Sequence, residues 1–326
     1  MEFFRSSNID WLGKKWYFLG FSLIFSVAGV LSLLFWHGVP LGVDFKGGTQ
    51  IKVHFEGTPN EAHIRQALDR AGVRDETVQS ISGGGTSNDE VISLPISTAS
   101  DTAHDQGRAA VEGALTANYR DSGFSIVQED IVGPTAGKQL TKQAGWAILY
   151  SLLGMLIYLW FRFELIYGVA AVVAVFHDTL ITVGAFSLTN QEISLTVIAA
   201  ILTLIGYSMN DTIVVFDRIR ENLALSRRES LSDVVNRSIN QTLSRTVLTS
   251  GLTFLTVLSL YLFGGEVLHG FSFALVIGIL IGTYSSIAVA APMLVAYLDW
   301  RGASGKRVSL PAARGVAPKG PRTAKR

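Results

Sequence analysis

Residues 205–216 read Ile205-Gly206-Tyr207-Ser208-Met209-Asn210-Asp211-Thr212-Ile213-Val214-Val215-Phe216, an apolar stretch that nevertheless holds a carboxylate. It ends a longer block that starts at Ile193, and a membrane-spanning helix needs about 20 mostly apolar residues. Five further blocks share this character: Trp16–Trp36, Ala144–Phe161, Leu165–Leu188, Val247–Gly264 and Phe271–Leu298. Composition agrees. Hydrophobic residues make up 48% of the chain and charged residues 16%, with a mean hydropathy of +0.35. A soluble domain carries nearer ~25% charge. The sequence predicts a polytopic α-helical membrane protein with six transmembrane helices.

Loop charges orient it. Arg218, Arg220, Arg227, Arg228, Arg237 and Arg245 lie between spans four and five, and the tail from 299 to 326 is rich in Lys and Arg. The turns Thr189–Glu192 and Gly265–Gly270 have neither. Basic loops stay on the cytoplasmic side, so both termini are expected there, in the cell inner membrane. Residues 1–15 are a short cytoplasmic segment carrying Arg5, Lys14 and Lys15. The first block, 16–36, lacks a small-residue cleavage site at Trp36-His37-Gly38 and reads as a retained anchor. The basic tail reads as a topology signal and weak tether to an anionic leaflet. Spans two to six, with the cytoplasmic loop 217–246, fill 144–298.

Residues 37–143 then form an extracytoplasmic domain, in which 14 acidic residues face 9 basic ones. Its apolar period is that of an α+β fold. Thr49-Gln50-Ile51-Lys52-Val53-His54-Phe55 alternates like a half-buried strand, and Asn60 and Gly72 bracket a helix. Thr77–Ile81 and Glu90–Ile96 read as strands around the Gly83-Gly84-Gly85 turn, Asp101–Tyr119 as a second helix, and Phe124–Val132 as a last strand. The order βαββαβ is ferredoxin-like. Gly83–Gly85 has no following helix or Lys, so a hairpin turn is a better reading than phosphate binding.

Cysteine is absent and the six histidines show no ligand spacing, so neither a metal nor any other cofactor is expected. No nucleophile–base set or paired carboxylate appears. The chain reads as a binding or mechanical protein, not an enzyme, and nothing points to nucleic acid.

Ionisable groups inside spans are costly and are functional candidates by default. Asp211 is separated from the solvated Asp217-Arg218 by Ile213–Phe216. Gly206 and Asn210 lie one turn apart, as do Tyr207 and Asp211, which suits close helix contact. Asp211 is either a functional acid or a buried structural one. His177-Asp178 lies mid-span with Thr179 and Thr182 nearby; the pair either handles protons or satisfies itself and neighbouring backbone. Arg245 at the head of span five is either an interfacial cation or the partner of Asp211, since a buried acid needs a compensating charge. Between span one and the domain, Asp44-Phe45-Lys46-Gly47-Gly48 reads as a turn: Asp44 suits backbone N–H groups, and Gly47 and Gly48 permit positive φ. A direct substrate contact is the other reading of that motif.

Several segments together carry a family resemblance: Gly42–Thr49, Phe161–Glu164, His177-Asp178, Gly206–Asn222, Gln241–Thr246 and Tyr261–Gly265. In this order on six spans they resemble the SecD–SecF proteins, accessory to the bacterial Sec translocon and part of the resistance-nodulation-division superfamily, over about residues 10–300. Lys46 and the long basic tail depart from the pattern. The resemblance implies a complex with a SecD-like subunit and the SecYEG channel, with YajC as a further neighbour. It also implies a translocating polypeptide as cargo and export assisted by the proton motive force. It gives Asp211 and Arg245 the role of proton-pathway residues, beside Asn210, Asp178 and His177. A half-size, proton-driven exporter of lipids or small molecules is the alternative; superfamily members of that kind usually carry twelve spans in one chain.

Overall fold

The computed structural model describes residues 8–73, 76–81, 88–95, 102–119, 123–226 and 229–303. The Gly83–Gly85 turn, Arg227, Arg228 and the tail beyond 303 lie outside these residues. Among the described residues, six helices are long and apolar enough to cross a membrane. The first is α1 (Lys15–Leu31), which continues through a π-helical turn to Trp36. A short α2 (Val43–Lys46) occupies the motif expected to be a plain turn.

The domain follows as β1 (Gly48–Phe55), α3 (Glu61–Arg70), β2 (Thr77–Ile81), β3 (Asp89–Pro95), α4 (Thr102–Asn118) and β4 (Phe124–Val132). Its sheet runs β2-β3-β1-β4, antiparallel at every pairing, which is the ferredoxin-like order. The alternation in β1 sets one buried face. Ile51, Val53 and Phe55 lie inside and pack with Ile64 and Leu68 of α3 and Val111 and Leu115 of α4. Asn60 caps α3, its side chain accepting from Ala62 N at 3.0 Å and His63 N at 3.4 Å.

The remaining helices are α5 (Pro134–Arg162), α6 (Leu165–Thr189), α7 (Leu195–Leu225), α8 (Leu231–Phe263), α9 (Glu266–Ser285) and α10 (Ala291–Ala303). A π-helical turn, Ser286–Ala290, joins α9 and α10 into span six. Three helices outrun their apolar blocks: α5 begins ten residues before Ala144, α7 continues past Phe216, and α8 begins well before Val247. Hydropathy marks only the lipid-embedded part of a helix. Beyond it α8 is capped by Ser230, α7 carries the ion pairs of Asp217 with Arg162 and Arg220, and the start of α5 packs on α2. Spans three, four and six bury half or more of their apolar windows inside the protein, whereas one, two and five bury less than a fifth.

The centre of the bundle is therefore α6, α7 and α9, and small residues let these helices close up. A Cβ on Gly184 of α6 would stand 2.6 Å from Gly29 Cα of α1, and one on Gly282 of α9 would stand 3.0 Å from Ser208 Cβ of α7. On the loop side, Asn236 and Asn240 of α8 hold the incoming chain: Asn236 Oδ1 accepts from Trp11 N and Leu12 N, and Asn240 Oδ1 from Ile9 N.

Candidate functional site: buried acids and the domain anchor

Asp211 lies on the buried face of α7, 2% exposed. Its Oδ2 accepts a hydrogen bond of 2.6 Å from the hydroxyl of Ser250 on α8. Arg245 is not its bonding partner. Arg245 precedes Ser250 by five residues, about 140° around the helix, so when Ser250 faces α7 the Arg245 side chain points outward and is exposed. Its charge still acts on Asp211 through space. Of the two readings of Arg245, the pairing with Asp211 is thus a proximity without contact. Asn210 is exposed, and with Gly206 it shares a face turned away from the bundle centre.

His177 and Asp178 form a second centre. Asp178 is fully buried. Its Oδ1 faces His177 Nδ1 at 2.9 Å, while its Oδ2 accepts from Ser208 of α7 at 2.6 Å and from Ser285 of α9 at 2.8 Å. The far nitrogen of His177, Nε2, bonds Ser22 of α1. The pair does satisfy itself, but through side chains from three other helices rather than through backbone groups. Thr182 turns back to the Asp178 carbonyl at 2.8 Å, and Thr179 to that of Val175 at 2.9 Å, so neither joins the network.

The motif between α1 and β1 is an anchor with long reach. Asp44 Oδ2 accepts the backbone N–H of Leu195 at 2.8 Å, so it bonds not its own turn but the first turn of α7. Gly42 N donates to Ile193 O at 2.9 Å, and Ile193 N to Pro40 O at 2.7 Å. Gly47 has φ +76°, and a Cβ there would stand 3.0 Å from Pro134 Cα. Gly48 has φ +154°, and its Cβ would fall 2.3 Å from Leu94 O of β3. On α5, a Cβ on Gly137 would stand 2.8 Å from Phe45 O. Glu192, in the loop between spans three and four, completes the junction by accepting from Ser93 of β3 at 3.4 Å. Burial pushes the Glu192 carboxyl up, against the opposing influence of Ser93 and Lys46.

At the other end of the bundle three distant motifs meet. Asp217 pairs with Arg162 at 3.1 Å and Arg220 at 3.0 Å, and both guanidinium groups lie about 5 Å from the Phe163 ring. Asn222 donates to Ser238 and to Gln241, each at 2.8 Å. Ser250 and Ser285 on the two acids, Ser238 and Glu192 were not singled out from sequence, and the other loop-side residues entered there only as loop charges or as parts of the segments that carry the family resemblance. Serines are common in spans, and nothing local distinguishes those that face an acid.

These arrangements define a class: a polytopic helical membrane protein whose small α+β domain is fastened to the same helix that carries a buried acid. Comparison with known proteins supplies the particular family. Residues 112–300 match the C-terminal region of the protein export membrane proteins SecD/SecF, and residues 33–59 match the SecD/SecF GG motif. The SecF protein translocase subunit of Koribacter versatilis is 54% identical, the match covering 94% of this chain and 95% of that protein. That of Calditerrivibrio nitroreducens is 43% identical, over 89% and 94%. The crystal structure of SecDF from Thermus thermophilus superposes with a TM-score of 0.80 at 35% identity. It covers 90% of this chain, while this chain spans only 39% of SecDF. The chain belongs to the SecD/SecF family of protein-export membrane proteins and, within it, to the SecF translocase subunits.

Proposed function

We propose that this chain lets protons moving down the proton motive force assist a late step of protein export, as the six-span partner of a SecD-like subunit beside the SecYEG channel. The carrying observation is the pair of attachments on α7: Asp211 is buried mid-helix on Ser250, and the helix's first turn is bonded to Asp44 of the domain anchor. Each elementary charge crossing the membrane releases about 2.3 kcal/mol per 100 mV, enough to bias two packings of a helix bundle. A shift of α7 would pass through Asp44 and Gly42 into the domain. Arg245 would favour the ionised Asp211 in one packing and be withdrawn in the other; the contact of Asp211 with Ser250 rather than Arg245 fits the withdrawn state. His177 and Asp178 would serve the same route, one helix behind.

The domain would lie outside the cytoplasm and both termini inside, as the distribution of Lys and Arg favours. There it would hold and release an emerging chain against back-sliding. We assign the exposed Asn210 of α7 and Arg245 and Thr249 of α8 to contact with the SecD-like subunit, because polar side chains on a span face protein rather than lipid. YajC, as a further neighbour, rests on the family alone.

The test is ATP-independent completion of translocation into vesicles, with and without an imposed proton gradient. The Asp211→Asn complex should assemble and lose gradient stimulation. Full stimulation would leave Asp211 a structural acid and remove the reading.

A further inference from the structure

Threonines inside membrane helices normally return their hydroxyl to a carbonyl one turn earlier. On α8, Thr242, Thr249, Thr253 and Thr256 do so, donating to Ser238 O at 3.1 Å, Arg245 O at 3.0 Å, Thr249 O at 2.9 Å and Leu252 O at 3.0 Å. Thr246 does not. It is 2% exposed, yet among the described residues its Oγ1 has no hydrogen-bond partner. Thr246 lies one turn before Ser250, which places it on the helix face that meets Asp211. The hydroxyl of Tyr207 is likewise buried without a partner. Tyr207 lies one turn before Asp211 on α7.

Because α7 and α8 run antiparallel, these two residues flank the acid along the membrane normal. Tyr207 is on the domain side of Asp211 and Thr246 on the loop side. Buried hydroxyls are rarely left unpaired, and where they are, water or a functional role is the usual explanation. Ser250 takes Oδ2 of Asp211 and leaves Oδ1 to receive a proton.

We propose that Tyr207 and Thr246 are proton-path residues, each hydroxyl holding water that carries a proton to or from Asp211. This rests on the reading of Asp211 as a proton carrier. In each hop a hydroxyl accepts one proton from water and passes its own to the next oxygen, so neither residue changes charge. The Asp211 carboxylate takes the proton from hydronium on one side, leaving water, and returns it to water on the other.

The test uses the assembled export complex in vesicles with Thr246→Val, Thr246→Ser, Tyr207→Phe and, in parallel, Asp211→Asn. Val keeps the shape of Thr and removes only the hydroxyl, so a packing role predicts a normal complex. We expect Thr246→Val and Tyr207→Phe to assemble with no fall in melting temperature and to lose gradient stimulation by about tenfold or more. Thr246→Ser should keep it. Full stimulation in Thr246→Val and Tyr207→Phe, with loss in Asp211→Asn, would overturn this inference and leave the role of Asp211 intact. Full stimulation in Asp211→Asn would overturn both. A lowered melting temperature in Thr246→Val, restored in Thr246→Ser, would make the Thr246 hydroxyl a structural donor and overturn its part.

Discussion

The carboxylate of Asp44 accepts the backbone N–H of Leu195 at 2.8 Å, across 151 residues of sequence. Leu195 opens α7, so the anchor between span one and the domain supplies an anion to the start of the helix that carries Asp211. Ser194 caps the same turn, accepting from Val197 N at 3.4 Å. Asp44→Ala should therefore cost about 1 kcal/mol in the stability of that junction, with a larger loss of export than of membrane accumulation. Asp44→Asn keeps an acceptor oxygen and should fall between. Equal export by the wild type and Asp44→Ala, at equal protein levels, would show that the bond transmits nothing.

Gly47 and Gly48 should not tolerate side chains equally. A Cβ at Gly48 meets the Leu94 carbonyl oxygen at 2.3 Å, and this contact is with backbone of the adjoining strand. At Gly47 the nearest atom is 3.0 Å away, and the strain comes mainly from φ +76°. Gly48→Val should open the start of the β1–β3 pairing and impair export more than Gly47→Val, each costing about 1–3 kcal/mol or more. Export titres at matched membrane levels, with hydrogen exchange at Thr49–Ile51, give the order.

Asp211 and Arg245 are separable by substitution. Asp211→Glu keeps the carboxyl and moves it by one methylene, so it should retain part of the gradient response. Arg245 makes no contact with Asp211 in this packing and acts on it through space. Arg245→Lys, which keeps that charge, should then lose less than Arg245→Met. A defect in Arg245→Lys as deep as in Arg245→Met would mean that a two-pronged guanidinium contact forms in the other packing.

Asp178 carries a larger structural load. Asp178→Leu removes the acceptor for His177, Ser208 and Ser285 together. At about 1–3 kcal/mol for each buried donor left unpaired, the variant should fail to accumulate. Asp178→Asn keeps one acceptor oxygen and should accumulate, which makes it the variant for measuring gradient-driven export. Wild-type accumulation of Asp178→Leu would show that water replaces the carboxylate.

Asp89 gives the domain an acid-sensitive contact. Burial pushes its carboxyl up, but its bonds to His54 and to Lys52, the latter at 3.3 Å, outweigh this and hold it below the usual range. The unfolded chain then binds the proton more readily. The stabilisation is present above the unfolded value, near 4, and is lost as pH falls through the lower folded one. Asp89→Asn should weaken β1–β3 by about 1 kcal/mol at neutral pH, and the difference should close below about pH 4. Hydrogen exchange of the β1 amides at pH 7 and near pH 3 checks this; a gap that persists in acid would assign the effect to shape.

Hydropathy blocks, loop charge and the alternation in β1 determined the six spans, the βαββαβ order and the positions of the isolated acids. Each of these depends on a residue's neighbours along the chain, where periods of 2 and 3.6 report which face is buried. The identity of each acid's partner does not depend on that. Ser250 rather than Arg245 meets Asp211 because the rotation of α8 about its axis is fixed by packing against α7 and α9. Asp44 meets Leu195 because Gly42 and Ile193 pair the linker with a loop 151 residues away. The serines around the His177–Asp178 pair come from three helices whose axial register is set by close contacts such as Gly282 against Ser208. Local pattern determined what had to be buried; inter-helix rotation and register, which only the tertiary structure decided, determined what each buried group touches.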